Sequence, residues 1–473
     1  MTAPVLWTSA EAEAATGGRS TLPFRASGVS IDSRTLVPGD LFVAISGPNH
    51  DGHDFIAAAI AAGAAAAVVG RMPPAIVGTA PLLAVVDPRV ALVDLAAAAR
   101  RRTSAKIIGV TGSVGKTGTK EAIRLALAAQ GATAASAGNL NNQWGLPLSL
   151  ARTPRDCKYA VYEMGMSRAG EIAALTRLAQ PEVAVITTIE AAHLANFASV
   201  EDIARAKAEI FLGMKGGVAV LNRDNPHFPL LAAIARGEGV ARVVGFGADA
   251  AAEVRLIEYA PRHDGAAIVA SFAGRPLRYR LGLPGRHWAM NSLAALAAIE
   301  AVGADLALAA DMLGGLTALP GRGDRRRLSV PGGAIELIDD SYNASPASMR
   351  AGFAMLRETL PGRTGRRVAV LGDMLELGET SRRLHAELAG ALEAAGIDLV
   401  FTCGRDMAAL NEALPKVMQG GHAVDAAGLA PVIPAAIRAG DVVLVKGSRG
   451  SRMDRIVDAL SRLAATPPRA ANG

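Results

Sequence analysis

The sequence predicts an α/β protein of three domains, the middle one built on a parallel sheet covered on both faces. Three observations predict this. Short β-rich apolar runs, "KIIGVT", "YAVYEM", "VAVITTI" and "GVAVLN", alternate with helical patterns from Lys106 onward. Strands separated by helices cross over and pair in parallel, which puts helices on both faces. The same rhythm returns in "AIELID", "RRVAVLG", "IDLVFTCG" and "DVVLVKG". Finally, 473 residues suffice for three domains at ~150 residues each.

The first block runs to Ser104 and holds mixed short elements. Its most apolar window, "FIAAAIAAGAAAAVVG" (Phe55–Gly70), is mostly alanine and falls short of the ~20 residues that span a bilayer. It reads as a buried helix, a glycine turn at Gly63, then a strand. Before it lies a dense polar stretch, "SIDSRTLVPGDLFVAISGPNHDGHDF" (Ser30–Phe55). The second block, from residue 105, opens on the strand "KIIGV" and then "TGSVGKTGTK" (Thr111–Lys120). "LPGRGDRRRLSVPGG" (Leu319–Gly333) reads as a linker, and the tail "TPPRAANG" as disordered. The divisions are therefore 1–104, 105–318 and 319–473.

The turn at Gly112-x-x-Gly115-Lys116-Thr117 is a phosphate grip. Glycines let backbone N–H groups converge on phosphate oxygens, and a helix starting near Lys116 adds its positive end. Lys116 would reach the β and γ phosphates and Thr117 would ligate Mg²⁺. The strict spacing of such loops puts a glycine where Val110 stands. An ordinary strand–glycine–helix turn is the alternative, but the Lys-Thr pair between strand and helix favours a nucleotide.

Ligands of open α/β sheets sit at the carboxyl ends of strands. "KYAVYEMG" ends in Glu163, and "VAVITTIEAAH" is followed by Glu190 and His193. Either type is often a capping or surface residue; two in one sheet make a metal beside a γ-phosphate an equal alternative. The segment "SVEDIARAKAEIF" opens with Ser199 as N-cap and Asp202 three residues on. Lys207 lies four residues after Ile203 and three before Ile210, on the inward face. Two accounts stand: a lysine that snorkels to solvent, or a desolvated amine with a lowered pKa that can take up CO₂ as a carbamate and bind Mg²⁺.

Composition narrows the function classes. Half the chain is hydrophobic, 51%, so it can bury a core. A net charge of +6 suits polyanionic small molecules. Aromatics are 4% and no basic, aromatic-studded stripe occurs, which argues against nucleic acid. Cys157 and Cys403 lie far apart and read as reduced thiols of a cytoplasmic protein. The start "MTAPVLWTSAEAEAATGG" lacks the basic and apolar runs of a signal peptide. No membrane partner is expected, and the chain is read as a monomer.

Taken together, Thr111–Thr117, Glu163, His193 and Lys207 resemble the Mur ligase family, ATP-dependent amide-bond ligases of bacterial cell-wall synthesis. The family pattern is a TGxxGKT loop, a strand-end Glu, a His after the next strand and a helix Lys in "AK-x-x-x-F". The resemblance implies a central P-loop ATPase-like domain between an N-terminal UDP-binding α/β domain and a C-terminal Rossmann-like domain. It implies ATP and two Mg²⁺ as cofactors, the first ion on Thr117 and Glu163, the second on His193 and a carbamylated Lys207. The phosphate loop (Gly112, Ser113, Gly115, Lys116, Thr117) would hold the phosphates. "GRHWAMNSLAA" is similar to the segment in which His287 and Asn291 meet the adenine end, and "PGRGDR" places Arg322 at the interdomain arginine.

Further segments resemble the branch of the family that adds D-Ala-D-Ala to UDP-MurNAc-tripeptide. "NLNNQWGLPLSL" places Asn141 and Asn142 near the peptidyl substrate, and "DDSYNASPASM", "LGDMLELG" and "VLVKGSRGSRM" are close to that branch. Asp340 and Asn343 would face the nucleotide and incoming dipeptide, and Lys446, Ser448 and Arg449 the substrate. Ser33, Arg34 and the segment Asn49–His53 are candidates for the uridine diphosphate end, the arginine as pyrophosphate partner; a polar surface loop is the alternative there. Gly118 stands where many relatives carry Ser or Thr, and Ser345 where they carry Asn. "DNPH" (Asp224–His227) is like the motif of ligases that add diaminopimelate, but it lies in the central domain and lacks the arginine, so it reads as a strand end. Rival readings are a ligase one step earlier, a folylpolyglutamate synthase, or a P-loop ATPase or kinase.

Overall fold

The computed structural model describes residues 4–465 apart from 48, 75, 77 and 193. The tail 466–473 and His193 therefore lie outside the described residues.

Alternation of side chains along each central strand builds the middle of the molecule. Ile108 and Val110 enter one core with Val161, Val185 and Val220, against the helices Lys116–Ala128 and Arg286–Ala301. Ile107 enters the other with Ala160, Tyr162, Ala184 and Leu221, against the helices Glu171–Ala179 and Val200–Ala208. Burying each such Val or Ile stabilises by about 1.5–3 kcal/mol, and burial of both faces is why these strands read as unbroken apolar runs.

The result is a nine-stranded sheet. From Thr133–Ala135 through Tyr159–Glu163, Lys106–Thr111, Val183–Ile186 and Val218–Asn222 to Arg242–Gly247 every pairing is parallel. Lys106–Thr111 lies between Tyr159–Glu163 and Val183–Ile186, while the next strand in sequence lies beyond Tyr159–Glu163. That reversal opens a crevice at the carboxyl ends. Glu163 pairs level with Val110, and Ile186 with Thr111, so the strand ends that carry chemistry finish side by side.

Two further large sheets accompany this one, together with a two-stranded antiparallel pair of Trp7–Thr8 and Arg25–Ala26. A five-stranded sheet joins Gly28–Ser30, Asp40–Val43, Ala66–Val69 and Leu82–Ala84 in parallel, with Arg19–Ser20 antiparallel at its edge. The alanine-rich window is the helix Ile56–Ala61, a turn at Gly63 (φ +95°) and the strand Ala66–Val69. A six-stranded sheet of residues 324–446 is parallel except for its first strand.

Two expectations need correction. Most of the stretch read as a linker is structured: Asp324–Val330 pairs antiparallel with Gly333–Asp340, its arginines bonded along the edge, Arg326 to Asp324 and Asp339 and Arg325 to Glu336. Proline, glycine and arginine there mark a hairpin edge, where charge is tolerated. The central sheet is not purely parallel: Val254–Arg262 joins it parallel to Arg242–Gly247, but Gly265–Phe272 and Arg275–Leu281 continue it with antiparallel pairings.

Candidate active site

The helix Lys116–Ala128 starts directly from the glycine turn, with Gly115 as its N-cap at φ +85°. Glycine is required twice here. A Cβ on Gly112 would stand 1.9 Å from Thr187 Oγ1, and one on Gly115 2.6 Å from Asn291 Oδ1. Asn291 thus lies against the phosphate loop, on the helix Arg286–Ala301 that also carries His287. Lys116 is half-buried and among the described residues its Nζ donates to carbonyls, Gly112 O at 2.8 Å and Ser113 O at 3.4 Å. Burial pushes its pKa down, Glu163 acts against that, and Arg322 adds to it. A half-buried ammonium met by carbonyl dipoles suits a phosphate. The buried Thr111 Oγ1, at the end of the strand leading into this loop, has no hydrogen-bond partner among the described residues. Ser113 is already committed: its Oγ donates to Glu190 O and accepts from Glu190 N, at 3.1 and 3.0 Å.

Glu163 ends its strand buried at 1% exposure. Thr117 Oγ1 donates to its Oε2 at 2.8 Å and Asn141 Nδ2 to its Oε1 at 2.7 Å. A hydroxyl and a carboxylate side by side are hard oxygen donors of the kind Mg²⁺ takes alongside phosphate oxygens and waters, so the residues fit that ion. Among the described residues no cluster of three or more His, Cys, Asp or Glu could hold a metal. Asn142 faces the backbone instead, its Oδ1 accepting from Trp144 N and Gly145 N at the start of the helix Gly145–Ala151.

Lys207 does not snorkel. It is 1% exposed, on the helix Val200–Ala208 whose N-cap Ser199 accepts from Asp202 N. Burial, then the nearby Lys116, pushes its pKa well below the usual lysine value, which favours a neutral, nucleophilic amine. The loop from Thr187 toward residue 193 is strapped from several sides. Asn222 Nδ2 donates to Thr187 O at 3.2 Å, and Asn225 Nδ2 donates to Thr188 Oγ1 and Ile189 O at 3.1 and 2.8 Å. Asn225 and the neighbouring Asp224, which accepts from Ala248 N and Asp249 N, give "DNPH" a bracing place at a strand end.

The third sheet brings its groups to the same crevice. Parallel register puts Asp340 beside Lys446, whose Nζ donates to Asp340 Oδ2 at 2.6 Å and to Asn343 O at 3.0 Å. Burial raises the Asp340 pKa, against the pull of Lys446 and Arg322. Arg322 lies 4.0 Å from the Tyr342 ring centroid, with Arg449 at 5.7 Å. Ser448 is buried, its Oγ accepting from Leu375 N at 2.9 Å. Burial, then Lys446, pushes the His287 pKa down to about 4.

The first-sheet candidates gather less. Arg34 pairs with Asp32 at 2.7 Å with its side chain 85% exposed, and Asn49 is exposed. Ser33 lies in the same loop, half-buried. Both ring nitrogens of His53 are used within the domain, Nδ1 at 2.7 Å from Asp51 and Nε2 accepting from Gly70 N at 3.0 Å. Lys120, Trp288 and Tyr259 were not singled out by sequence. Lys120 had one signal, its place four residues after Lys116 on one helix face. Partners of the other two come from distant segments.

Three family models match in order: "Mur ligase family, catalytic domain" over residues 25–100, "Mur ligase middle domain" over 110–299 and "Mur ligase, glutamate ligase domain" over 325–449. The UDP-N-acetylmuramoyl-tripeptide–D-alanyl-D-alanine ligase of Escherichia coli (strain K12) is 38% identical over 436 residues, 91% of this chain and 93% of that one. A crystal structure of MurF from Acinetobacter baumannii superposes with a TM-score of 0.83 at 29% identity, covering 96% of this chain and 99% of the other. The MurF ligase of Thermotoga maritima, solved in complex with ADP, gives 0.77 at 29% identity, covering 93% and 98%. On its phosphate loop, its three sheets and these matches along nearly its full length, the chain belongs to the Mur ligase family.

Proposed function

We propose that the chain is an ATP-dependent ligase that joins D-Ala-D-Ala to UDP-MurNAc-tripeptide, giving UDP-MurNAc-pentapeptide, ADP and phosphate. One observation carries this reading: the Thr117–Glu163 oxygen pair, Lys116 and Arg322 converge where the central and C-terminal sheets meet. The Escherichia coli relative carries that activity in its name.

A carboxylate is a poor electrophile and needs activation. The tripeptide's terminal carboxylate oxygen attacks the γ-phosphorus and the bond to the β-phosphate oxygen breaks, releasing ADP. The D-Ala-D-Ala amine then attacks the acyl carbonyl, loses a proton, and phosphate leaves with its electron pair. Two anions must approach in the first step, so Lys116 and Arg322 lower the repulsion. Thr117 and Glu163 would hold one Mg²⁺, and His193 with a carbamylated Lys207 the second; these ions supply further charge neutralisation. Asn291 and His287 would border the adenine, with Gly112, Ser113 and Gly115 around the phosphates. Asp340, Asn343, Lys446, Ser448 and Arg449 would shape the dipeptide side, with Asn141 and Asn142 toward the peptidyl chain. Ser33, Arg34, Asn49 and His53 remain our proposal for the uridine diphosphate end. The divisions 1–104, 105–318 and 319–473 and a cytoplasmic monomer complete the reading. The buried free thiols Cys157 and Cys403 support a reducing compartment, and no described helix is long and apolar enough to cross a membrane.

The test is phosphate release from ATP with UDP-MurNAc-tripeptide and D-Ala-D-Ala, against UDP-MurNAc-dipeptide with diaminopimelate or lysine. Release with the first pair alone is expected; release with the second alone moves the chain one step earlier. Lys207→Ala should abolish turnover while circular dichroism and Tm stay native-like. A ¹³C carbamate signal after ¹³C-bicarbonate should vanish with it, and normal turnover would overturn the second-metal reading.

A further inference from the structure

Lys120 is completely buried, and the mechanism above does not use it. A buried ammonium is costly unless its hydrogens are all bonded. A methionine would fill similar volume without that cost, so what the lysine adds is its donors. Nζ donates to Ser136 O at 2.6 Å and Gly138 O at 3.2 Å, and pairs with Glu121 Oε1 at 2.8 Å. The segment it clamps is the one that grips Glu163. Glu163 N donates to Ser136 Oγ at 3.0 Å, Asn141 Nδ2 donates to Glu163 Oε1 at 2.7 Å, and Gly165 N donates to Asn141 O at 2.7 Å.

The remaining Glu163 oxygen meets Thr117, three residues before Lys120 on the same helix. Both sides of the carboxylate are therefore referenced to one rigid element, directly through Thr117 and through the 136–141 segment by way of Lys120. The segment has only the three-residue strand Thr133–Ala135 before it and a single turn, at residues 138–139, within it. Besides Lys120, the segment is tied by Ser136 N donating to Val161 O at 3.1 Å and Gly165 N donating to Asn141 O at 2.7 Å, which leaves the stretch between those two anchors to the lysine.

We propose that Lys120 is a positioning residue for Mg²⁺: by clamping residues 136–141 it holds the Glu163 carboxylate against Thr117, and so sets affinity for the magnesium–nucleotide complex rather than for the nucleotide itself. This rests on the reading of Thr117 and Glu163 as a Mg²⁺ pair. Groups that orient a metal ligand without touching the ion commonly change metal affinity by about 10–100-fold when removed.

The experiment is calorimetric binding of AMP-PNP to the full chain, in Mg²⁺ and in EDTA, for wild type, Lys120→Met, Ser136→Ala, Glu121→Gln and Glu163→Gln. Lys120→Met should weaken binding about tenfold in Mg²⁺ and leave binding in EDTA unchanged. Ser136→Ala removes only the hydroxyl that receives the Glu163 N–H; it should move the same way, and it carries the test if Lys120→Met does not fold. Glu121→Gln keeps an acceptor for Lys120 and should leave both affinities alone. Equal weakening in Mg²⁺ and EDTA would mean a general loss of loop structure and would overturn the proposal, as would unchanged binding in Mg²⁺ alongside a weakened Glu163→Gln. If Glu163→Gln itself binds normally in Mg²⁺, the metal reading of Thr117 and Glu163 falls, and this inference with it.

Discussion

His287 shows how surroundings decide the chemistry of a single side chain. Burial, then Lys446, holds its pKa at about 4, so at neutral pH the ring is a neutral hydrogen-bonding group, the form the proposed adenine site would use. The unfolded chain titrates near 6.5 and binds more protons than the folded one between that value and about 4. Stability tied to His287 is therefore complete above 6.5 and is lost as pH falls toward 4. Urea unfolding at pH 7 and pH 5 should show wild type losing more stability than His287→Gln, and an NMR titration should find the ring neutral at pH 6. A protonated ring at that pH would contradict this account. Lys207 and Lys116 obey the same rule: burial lowers the pKa of each, Lys116 adds to the effect on Lys207, and Glu163 offsets part of it on Lys116.

Among the elements, the helix Lys116–Ala128 does most to assemble the site, because its first turn faces three ways. Lys116 faces the glycine turn and Thr117 faces Glu163, Lys120 faces the 136–138 carbonyls, and Gly118 faces the helix Arg286–Ala301. Gly118 had looked like a lost hydroxyl. A Cβ there would stand 2.6 Å from Trp288 Cζ3, so the indole fills the space a Ser or Thr would need. Gly118→Ser should thus destabilise by about 1–3 kcal/mol, the cost of overpacking a filled site. It should lower Tm and shift Trp emission as Trp288 is displaced. A gain in activity with unchanged Tm would show that the missing hydroxyl, not the indole, matters at this position.

For the whole molecule, the proposed chemistry calls on groups of both the central and the C-terminal units, and hydrogen bonds join the two. Tyr259 OH donates to Glu358 Oε2 at 2.8 Å and accepts from Gly285 N at 2.7 Å, linking a C-terminal helix to the start of the helix that carries His287 and Asn291. Ala195 N donates to Glu376 O at 3.1 Å. Burial and the Glu358 carboxylate raise the Tyr259 pKa, so the phenol stays a donor across the working range. In the proposed reaction, closure over the crevice would keep water from the acyl phosphate. Tyr259→Phe removes the bridge and keeps the ring, and a hydrogen bond of this kind contributes about 1 kcal/mol. The KM for D-Ala-D-Ala should rise about fivefold, with phosphate released without amide formation rising alongside. Wild-type values for both would assign the bridge to packing alone.

The sequence by itself determined what is set within a turn or two of chain. The strand–helix rhythm, the phosphate turn, the Ser199 cap and the inward face of Lys207 depend on neighbours three or four residues away. Tertiary structure alone decided which distant groups meet. The strands at 254–281 escaped notice because their outer face carries arginines and their pattern is diluted. Asp324–Val330 passed for a linker because an edge strand tolerates the charge that loops also carry. The sequence puts Asn141 toward the peptidyl substrate and His53 toward the uridine diphosphate end; the structure adds the contacts of Asn141 with Glu163, His53 with Gly70 and Ser448 with Leu375. Each of these side chains has several donors or acceptors and no periodicity to betray its partner. Only packing, which brings segments many residues apart within 3 Å, selects one among the partners that local sequence leaves equivalent.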